Sequence, residues 1–165
     1  MSEDKEPVKS IVTPTHLVYD WPATGTQAAF LERIARGELI GERCPECEKV
    51  YCPPTGNCPR CGVATAEVVD VADRGTVITF CIVRVPSENI DLKLPYCAAN
   101  ILLDGSDMPL MGLLGECEAE DVRIGMRVEA RWLPREEWSN TFENIKYFRP
   151  IDEPDIPVEK LGAWV

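Results

Sequence analysis

Phe30, Leu31 and Ile34 recur at helical spacing, with Thr24 or Thr26 able to cap the start and Gly37 suited to the end, which predicts one helix of about three turns. Ahead of it, Pro7, Pro14 and Pro22 punctuate a polar stretch in which Val12, Leu17, Val18, Tyr19 and Trp21 are scattered apolar positions. Residues 1–23 therefore read as an extended N-terminal arm rather than a core element.

After Val68 the pattern becomes β-like. Thr76–Val85 is rich in β-branched and aromatic residues on both parities, the signature of a long strand covered on both faces and ended by Pro86. Tyr96–Leu103 and Met108–Leu114 flank Asp104-Gly105 and predict a hairpin. Glu116–Val122 offers one helical turn, Arg127–Leu133 alternates as a half-exposed strand should, and Phe142–Phe148 supplies the last strand. A strand over residues 68–85, the hairpin pair and the two late strands make about five, with a short helical segment between the third and fourth; that order predicts an OB-fold barrel. From Pro150 to Val165 three prolines and no regular period predict an extended tail that leaves the barrel. Its Ile156, Val158, Leu161, Trp164 and Val165 could cover the barrel's own edge or dock on a partner. The expected division is an arm over 1–23, helix plus cysteine-rich segment over 24–66, barrel over 67–150 and tail over 151–165.

Composition narrows the functions. The 165-residue chain carries a formal net charge of −11, so its average surface repels phosphate backbones and anionic membranes. Arg84, Lys93, Arg127, Arg131 and Lys146 are too dispersed against that background to form a single-strand groove. No apolar run reaches the roughly 18–20 residues that span a bilayer, and Met1-Ser2-Glu3-Asp4-Lys5-Glu6 lacks the basic-then-apolar order of a secretion signal, so a cytoplasmic location is expected. Eight cysteines in such a compartment stay mostly reduced, and paired Cys-x-x-Cys spacings then read as metal ligands.

Cys44-Pro45-Glu46-Cys47 and Cys58-Pro59-Arg60-Cys61 each place two thiolates on one tight turn whose following N–H groups can point at sulfur, and Gly62 relieves the second turn. Two such knuckles can close a four-sulfur tetrahedral site with no vacant position for water. A structural Zn2+ is expected, weighed against rubredoxin-type iron, a redox dithiol and incidental cysteines. Residues 40–65 hold few large apolar side chains, so metal binding is expected to carry their folding. Cys52 fits neither doublet and reads as a bystander; Cys81, Cys97 and Cys117 read as packed thiols. His16 is the only histidine, which leaves no Ser-His-Asp or Cys-His arrangement with a second histidine, and no Gly-x-Gly-x-x-Gly or Walker-type loop is present. Glu116, Glu118, Glu120 and Asp121 read as a solvated face, and no catalytic residue is assigned.

Ala35-Arg36-Gly37-Glu38-Leu39, the pairs Cys44/Cys47 and Cys58/Cys61-Gly62, Gly75-Thr76-Val77, Val122-Arg123-Ile124-Gly125-Met126-Arg127-Val128 and Phe148-Arg149-Pro150 together resemble the domain of unknown function 35 family over Phe30 to Pro150. The resemblance implies a mainly β chain in which an N-terminal helix and rubredoxin-like zinc ribbon precede a five-stranded OB-fold barrel associated with acyl-CoA. It further implies a non-catalytic subunit of a thiolase-superfamily complex (thiolase, lipid-transfer-type aldolase or hydroxymethylglutaryl-CoA synthase). The partner would carry the catalytic residues, and the barrel would shape the CoA thioester entrance. The rival expectations are a free-standing acyl-CoA-binding module, with Arg84 or Lys93 meeting phosphates, and a single-stranded nucleic-acid-binding OB protein.

Overall fold

The computed structural model describes residues 10–162 apart from 12, 14–16, 21, 24, 88 and 89. Val12, His16, Trp21, Thr24, Trp164 and Val165, named above, lie outside the described residues.

Helix α1 (Gly25–Ile34) buries Phe30 and Ile34, which lie four apart on one face. Its last carbonyls need partners, and Asn144, fully buried, donates from Nδ2 to Ile34 O at 3.2 Å and to Ser139 O at 2.7 Å. Strand β1 (Leu39–Arg43) then forms the centre of a three-stranded sheet between β2 (Val50–Tyr51) and β3 (Glu67–Val71). β3 runs antiparallel to β1 from Leu39↔Val71 to Arg43↔Glu67.

That pairing corrects the single strand expected over residues 68–85. The chain breaks at Ala72-Asp73, where the Asp104 turn inserts: Ala72 N–H donates to Asp104 O at 3.1 Å and Asp104 N–H donates to Arg74 O at 2.9 Å. β3 thus belongs to the ribbon sheet, and the barrel begins with β4 (Arg74–Val83).

Strands β5 (Tyr96–Leu103), β6 (Pro109–Leu114), β7 (Arg127–Trp132) and β8 (Ile145–Pro150) complete a closed barrel in the order β4-β5-β6-β8-β7. A 3-10 turn at Ala119–Asp121 lies between β6 and β7, as the acidic stretch predicts. The last strand starts later than expected: Phe142–Asn144 is a 3-10 turn, because the Thr141 side chain accepts from Glu143 N–H and Phe142 stacks on Phe30 at 5.9 Å. β4 is covered on both faces only over Gly75–Ile78. Beyond Thr76 it loses β7 as a neighbour, which leaves Cys81 exposed rather than packed, whereas Cys97 is buried and Cys117 half-buried.

One apolar core runs through the molecule. Phe30, Ile34, Leu39, Ile40, Val50 and Val71 from the helix and ribbon sheet meet Val77, Ile101, Leu103, Val128 and Phe148 from the barrel. Burial therefore holds the ribbon sheet more than the sparse apolar content of residues 40–65 suggests.

The tail does not leave the barrel within the described residues. Ile151 N–H donates to Arg127 O at 3.1 Å, Ile156 N–H donates to Gly125 O at 2.8 Å, and Leu161 is buried. Arg127, itself buried, donates to both carboxylate oxygens of Asp104 at 2.8 and 2.6 Å, to Thr76 Oγ1 at 2.9 Å and to Glu153 Oε2 at 3.0 Å. Arg123 pairs with Asp155 in the same way. Docking in cis wins here because these cations and the edge carbonyls at Gly125 and Arg127 find their partners in the tail.

The β5–β6 hairpin tip clamps the ribbon. Asp107 N–H donates to Val50 O at 2.7 Å, while its carboxylate accepts from Val50 N–H at 3.0 Å and Lys49 Nζ at 2.7 Å. Asp107→Ala is expected to cost about 1–3 kcal/mol, read as a lower urea midpoint, since it strips the Val50 N–H and Lys49 of their acceptor. Desolvation raises the Asp107 carboxyl, yet Lys49 and the Val50 N–H outweigh it and hold it below its ordinary value. The wild-type advantage over Asp107→Ala should therefore be full above the unfolded carboxyl pKa of about 4 and fade as pH falls through the lower folded value.

Candidate metal centre

Both knuckles close by the same backbone pattern. Cys44 N–H donates to Lys49 O at 2.9 Å and Glu48 N–H donates to Cys44 O at 3.0 Å. In the second knuckle Cys58 N–H donates to Val63 O and Gly62 N–H donates to Cys58 O, both at 2.8 Å. The residue after each second cysteine must take positive φ: Gly62 at 74° does so without a Cβ penalty, and Glu48 does so at 58°. Glu48→Gly is expected to leave stability unchanged or raise it by a few tenths of a kcal/mol, as read by thermal melting of the zinc-loaded protein.

These turns bring Cys44, Cys47, Cys58 and Cys61 together, with all four sulfurs within 4.8 Å of one another. Cys47 Sγ and Cys58 Sγ lie 3.6 Å apart. A tetrahedral zinc with Zn–S bonds of about 2.3 Å sets its sulfurs about 3.8 Å apart, so the donor set fits such an ion in both chemistry and span. Cys44 and Cys58 are buried, Cys47 is half-buried and Cys61 is exposed.

Backbone N–H groups point at the first sulfur of each knuckle. Cys44 Sγ accepts from Glu46 N–H at 3.4 Å and Cys47 N–H at 3.5 Å, and Cys58 Sγ accepts from Cys61 N–H at 3.3 Å. The Tyr51 hydroxyl approaches Cys58 Sγ at 3.2 Å. Burial pushes the Cys58 thiol up, but the Tyr51 hydroxyl and the N–H groups of Cys61 and Arg60 outweigh it and bring it down to about 6. The Tyr51 phenol is correspondingly raised, first by its bond to Cys58 and then by burial.

Cys52 stays out of this cluster. It is packed in the main core beside Val50, where burial raises its thiol to about 12, as suits a neutral bystander. Tyr51 was not singled out by sequence reasoning, because an aromatic seven residues ahead of Cys58 carries no signal of its own. Met108, from the barrel, packs against the Cys44–Tyr51–Cys58 cluster.

The cationic side chains considered as phosphate or strand contacts are mostly engaged. Arg84 pairs with Glu120 at 2.7 Å, Arg131 with Glu116 at 3.6 Å, and Arg127 with Asp104 and Glu153. A mostly apolar groove of about 370 Å³ opens between β6 and the 3-10 turn leading into β8, lined by Met111, Gly112, Leu113, Phe142, Ile145 and Phe148, with Glu143 and Lys146 as its charged members. Among the described residues no helix is long and apolar enough to cross a membrane.

The ChsH2 rubredoxin-like zinc ribbon domain matches residues 31–67, and the ChsH2 C-terminal OB-fold domain matches residues 68–133. A DUF35 domain-containing scaffold protein of Methanocaldococcus jannaschii is 38% identical over 93 residues, 56% of this chain and 65% of that protein. The DUF35 scaffold protein of Pyrococcus furiosus is 32% identical over 55% of this chain and 65% of its own length. A probable enoyl-CoA hydratase alpha subunit of Thermomonospora curvata is 26% identical over 84% of this chain and 41% of its own length. The matches thus span less than two thirds of each curated relative. Among solved structures, a chain of the Ltp2-ChsH2(DUF35) aldolase superposes with a TM-score of 0.58 at 24% identity, covering 79% of this chain and 98% of that one. A DUF35 protein of unknown function from Sulfolobus solfataricus gives 0.56 at 17% identity, covering 76% and 84%. At those identities the structural likeness speaks for the fold, and the two adjoining domain matches with the archaeal relatives establish that this chain belongs to the ChsH2-type DUF35 family of zinc-ribbon and OB-fold proteins.

Proposed function

We propose that this chain is a non-catalytic subunit, clamped by Zn2+ on Cys44, Cys47, Cys58 and Cys61, that docks on a thiolase-superfamily enzyme and helps shape the entrance for its acyl-CoA thioester. The observation that carries the reading is the arm. Ile11, Leu17, Val18 and Tyr19 are 74–84% exposed, so this chain leaves large apolar side chains in solvent ahead of α1. Apolar surface displayed in that way suits a protein partner. The relatives support it: one belongs to the Ltp2-ChsH2(DUF35) aldolase, and another is a probable enoyl-CoA hydratase alpha subunit. Cysteines without disulfides, four of them gathered as metal ligands, also suit a reducing compartment such as the cytoplasm.

Co-expression with thiolase-fold enzymes followed by affinity capture and light scattering tests the proposal. Wild-type protein should co-elute as a hetero-oligomer, and Leu17→Ser with Val18→Ser and Tyr19→Ser should cut recovery by about tenfold or more. A stable monomer that retains none of them removes the reading.

The groove lined by Met111, Leu113, Ile145 and Phe148 favours a second reading, a free-standing acyl-CoA-binding module. Calorimetry separates the two, since a site shared with a partner binds acyl-CoA poorly in the isolated chain. The nucleic-acid reading has no comparable support, its candidate arginines being occupied by carboxylates.

A further inference from the structure

The two knuckles are alike in backbone but unlike in what reaches their sulfurs. Cys44 Sγ has two donors, the N–H groups of Glu46 and Cys47, both from its own turn and both at 3.4 Å or longer. Cys58 Sγ has the corresponding N–H groups of Cys61, at 3.3 Å, and Arg60 and, in addition, the Tyr51 hydroxyl at 3.2 Å, delivered from β2. A zinc-bound thiolate carries no proton, so in the loaded site the phenol must be the donor and the sulfur the acceptor.

The placement of Tyr51 is fixed from several sides. It lies in β2 opposite Glu42 of β1, its side chain is buried, and the neighbouring residue Val50 is held at both backbone groups by Asp107. Its ring packs in the small cluster formed by Cys44, Cys58, Cys47, Val63 and Met108. The hydroxyl therefore has little freedom to turn elsewhere, and removing it leaves a hydrophobic contact intact while deleting one charge-assisted bond.

We propose that Tyr51 is a positioning residue of the metal site: its hydroxyl donates to the Cys58 thiolate and orients that sulfur toward the ion. The inference rests on the zinc reading above and adds to it a residue outside the Cys-x-x-Cys motifs. A hydrogen bond donated to the thiolate holds the sulfur in its direction toward the ion, so its loss eases the departure of the metal.

The test uses the full chain loaded with Zn2+ or with Co2+ in its place. Tyr51→Phe should release zinc to a chelating dye about tenfold faster or more. In the cobalt-loaded protein the same substitution should move the sulfur-to-metal charge-transfer band to lower energy, because the sulfur lone pair is no longer stabilised. Met108→Leu, which disturbs packing over the same cluster and touches no donor, should leave the band in place. Replacement of Tyr51 by 3-fluorotyrosine, a stronger donor of nearly the same shape, should move the band the other way, so the proposal remains testable if Tyr51→Phe folds poorly. A band and a release rate unchanged in Tyr51→Phe or in the fluorotyrosine protein overturn the inference while leaving the zinc reading standing. Failure of the wild-type protein to take up either metal overturns both.

Discussion

Removing zinc with a strong chelator is expected to unfold the two knuckles, residues 44–49 and 58–65, while the barrel persists, and to lower the thermal midpoint by ~10 °C or more. The knuckle cluster buries only Cys44, Tyr51 and Cys58, with Cys47, Val63 and Met108 partly covered, and three of those six belong to the four-sulfur cluster itself. Without the ion, nothing draws together four sulfurs that lie within 4.8 Å of one another, and too little apolar area remains to hold two loops in place. A tetrathiolate zinc site contributes on the order of 10 kcal/mol or more to a small domain, comparable to the whole stability of many folds. The barrel side is different. Val77, Ile101, Leu103, Val128 and Phe148 share their core with Leu39, Ile40 and Val50, so β1 and β2 should hold on to the barrel when the knuckles loosen. Hydrogen exchange resolves the two parts: amides of 44–49 and 58–65 should lose protection first, and those of β4, β5 and β7 should keep it. Cys58→Ala should reproduce the chelated state at any zinc concentration. Full protection of both knuckles in chelator would show that burial alone folds them.

The features that local chemistry encodes were legible in the sequence. The doubled Cys-x-x-Cys spacing brings its four sulfurs together because each knuckle closes on its own turn, and Gly62 supplies the one conformation the second turn needs. The hairpin read from Tyr96–Leu103 and Met108–Leu114 about Asp104-Gly105 forms as β5 and β6, and the structure turns Cys97, Ala99, Ile101 and Leu103 inside. What the sequence left open depends on distant partners. Val68–Val71 alternates as a barrel strand would, and only its register with Leu39–Arg43 assigns it to the ribbon sheet. Cys81 stands in a β-branched run that looks buried on both faces, yet β7 turns away after Thr76 and the thiol meets solvent. Tyr51 has no local mark of its role, since the hydroxyl finds Cys58 only once β2 pairs with β1. The tail's prolines announced an extended path but not its direction, which is set by Arg127, Arg123 and the carbonyl of Gly125.

Gly125→Ala is expected to cost about 3–5 kcal/mol and to free the tail. Gly125 sits at φ 90°, where an L side chain is strained, and a Cβ built there would lie 2.3 Å from Ile156 O, a backbone atom that cannot rotate aside. The same residue bridges two elements: its N–H donates to Val77 O and its carbonyl accepts from Ile156 N–H, both at 2.8 Å. Relief of the clash requires the tail to move, which breaks the Ile156 bond, uncovers Leu161 and draws Glu153 away from the buried Arg127. Limited proteolysis should then cut within 151–162 well before the barrel, and the urea midpoint should fall. Gly162→Ala provides the control, for Gly162 also has positive φ, at 60°, but a Cβ there meets nothing within 4 Å. That substitution should cost only about 1 kcal/mol and leave the tail resistant. Equal effects of the two would mean that conformational strain alone matters at Gly125; a larger loss with early tail cleavage in Gly125→Ala identifies the close approach to Ile156 as what fixes residues 151–161 on the barrel.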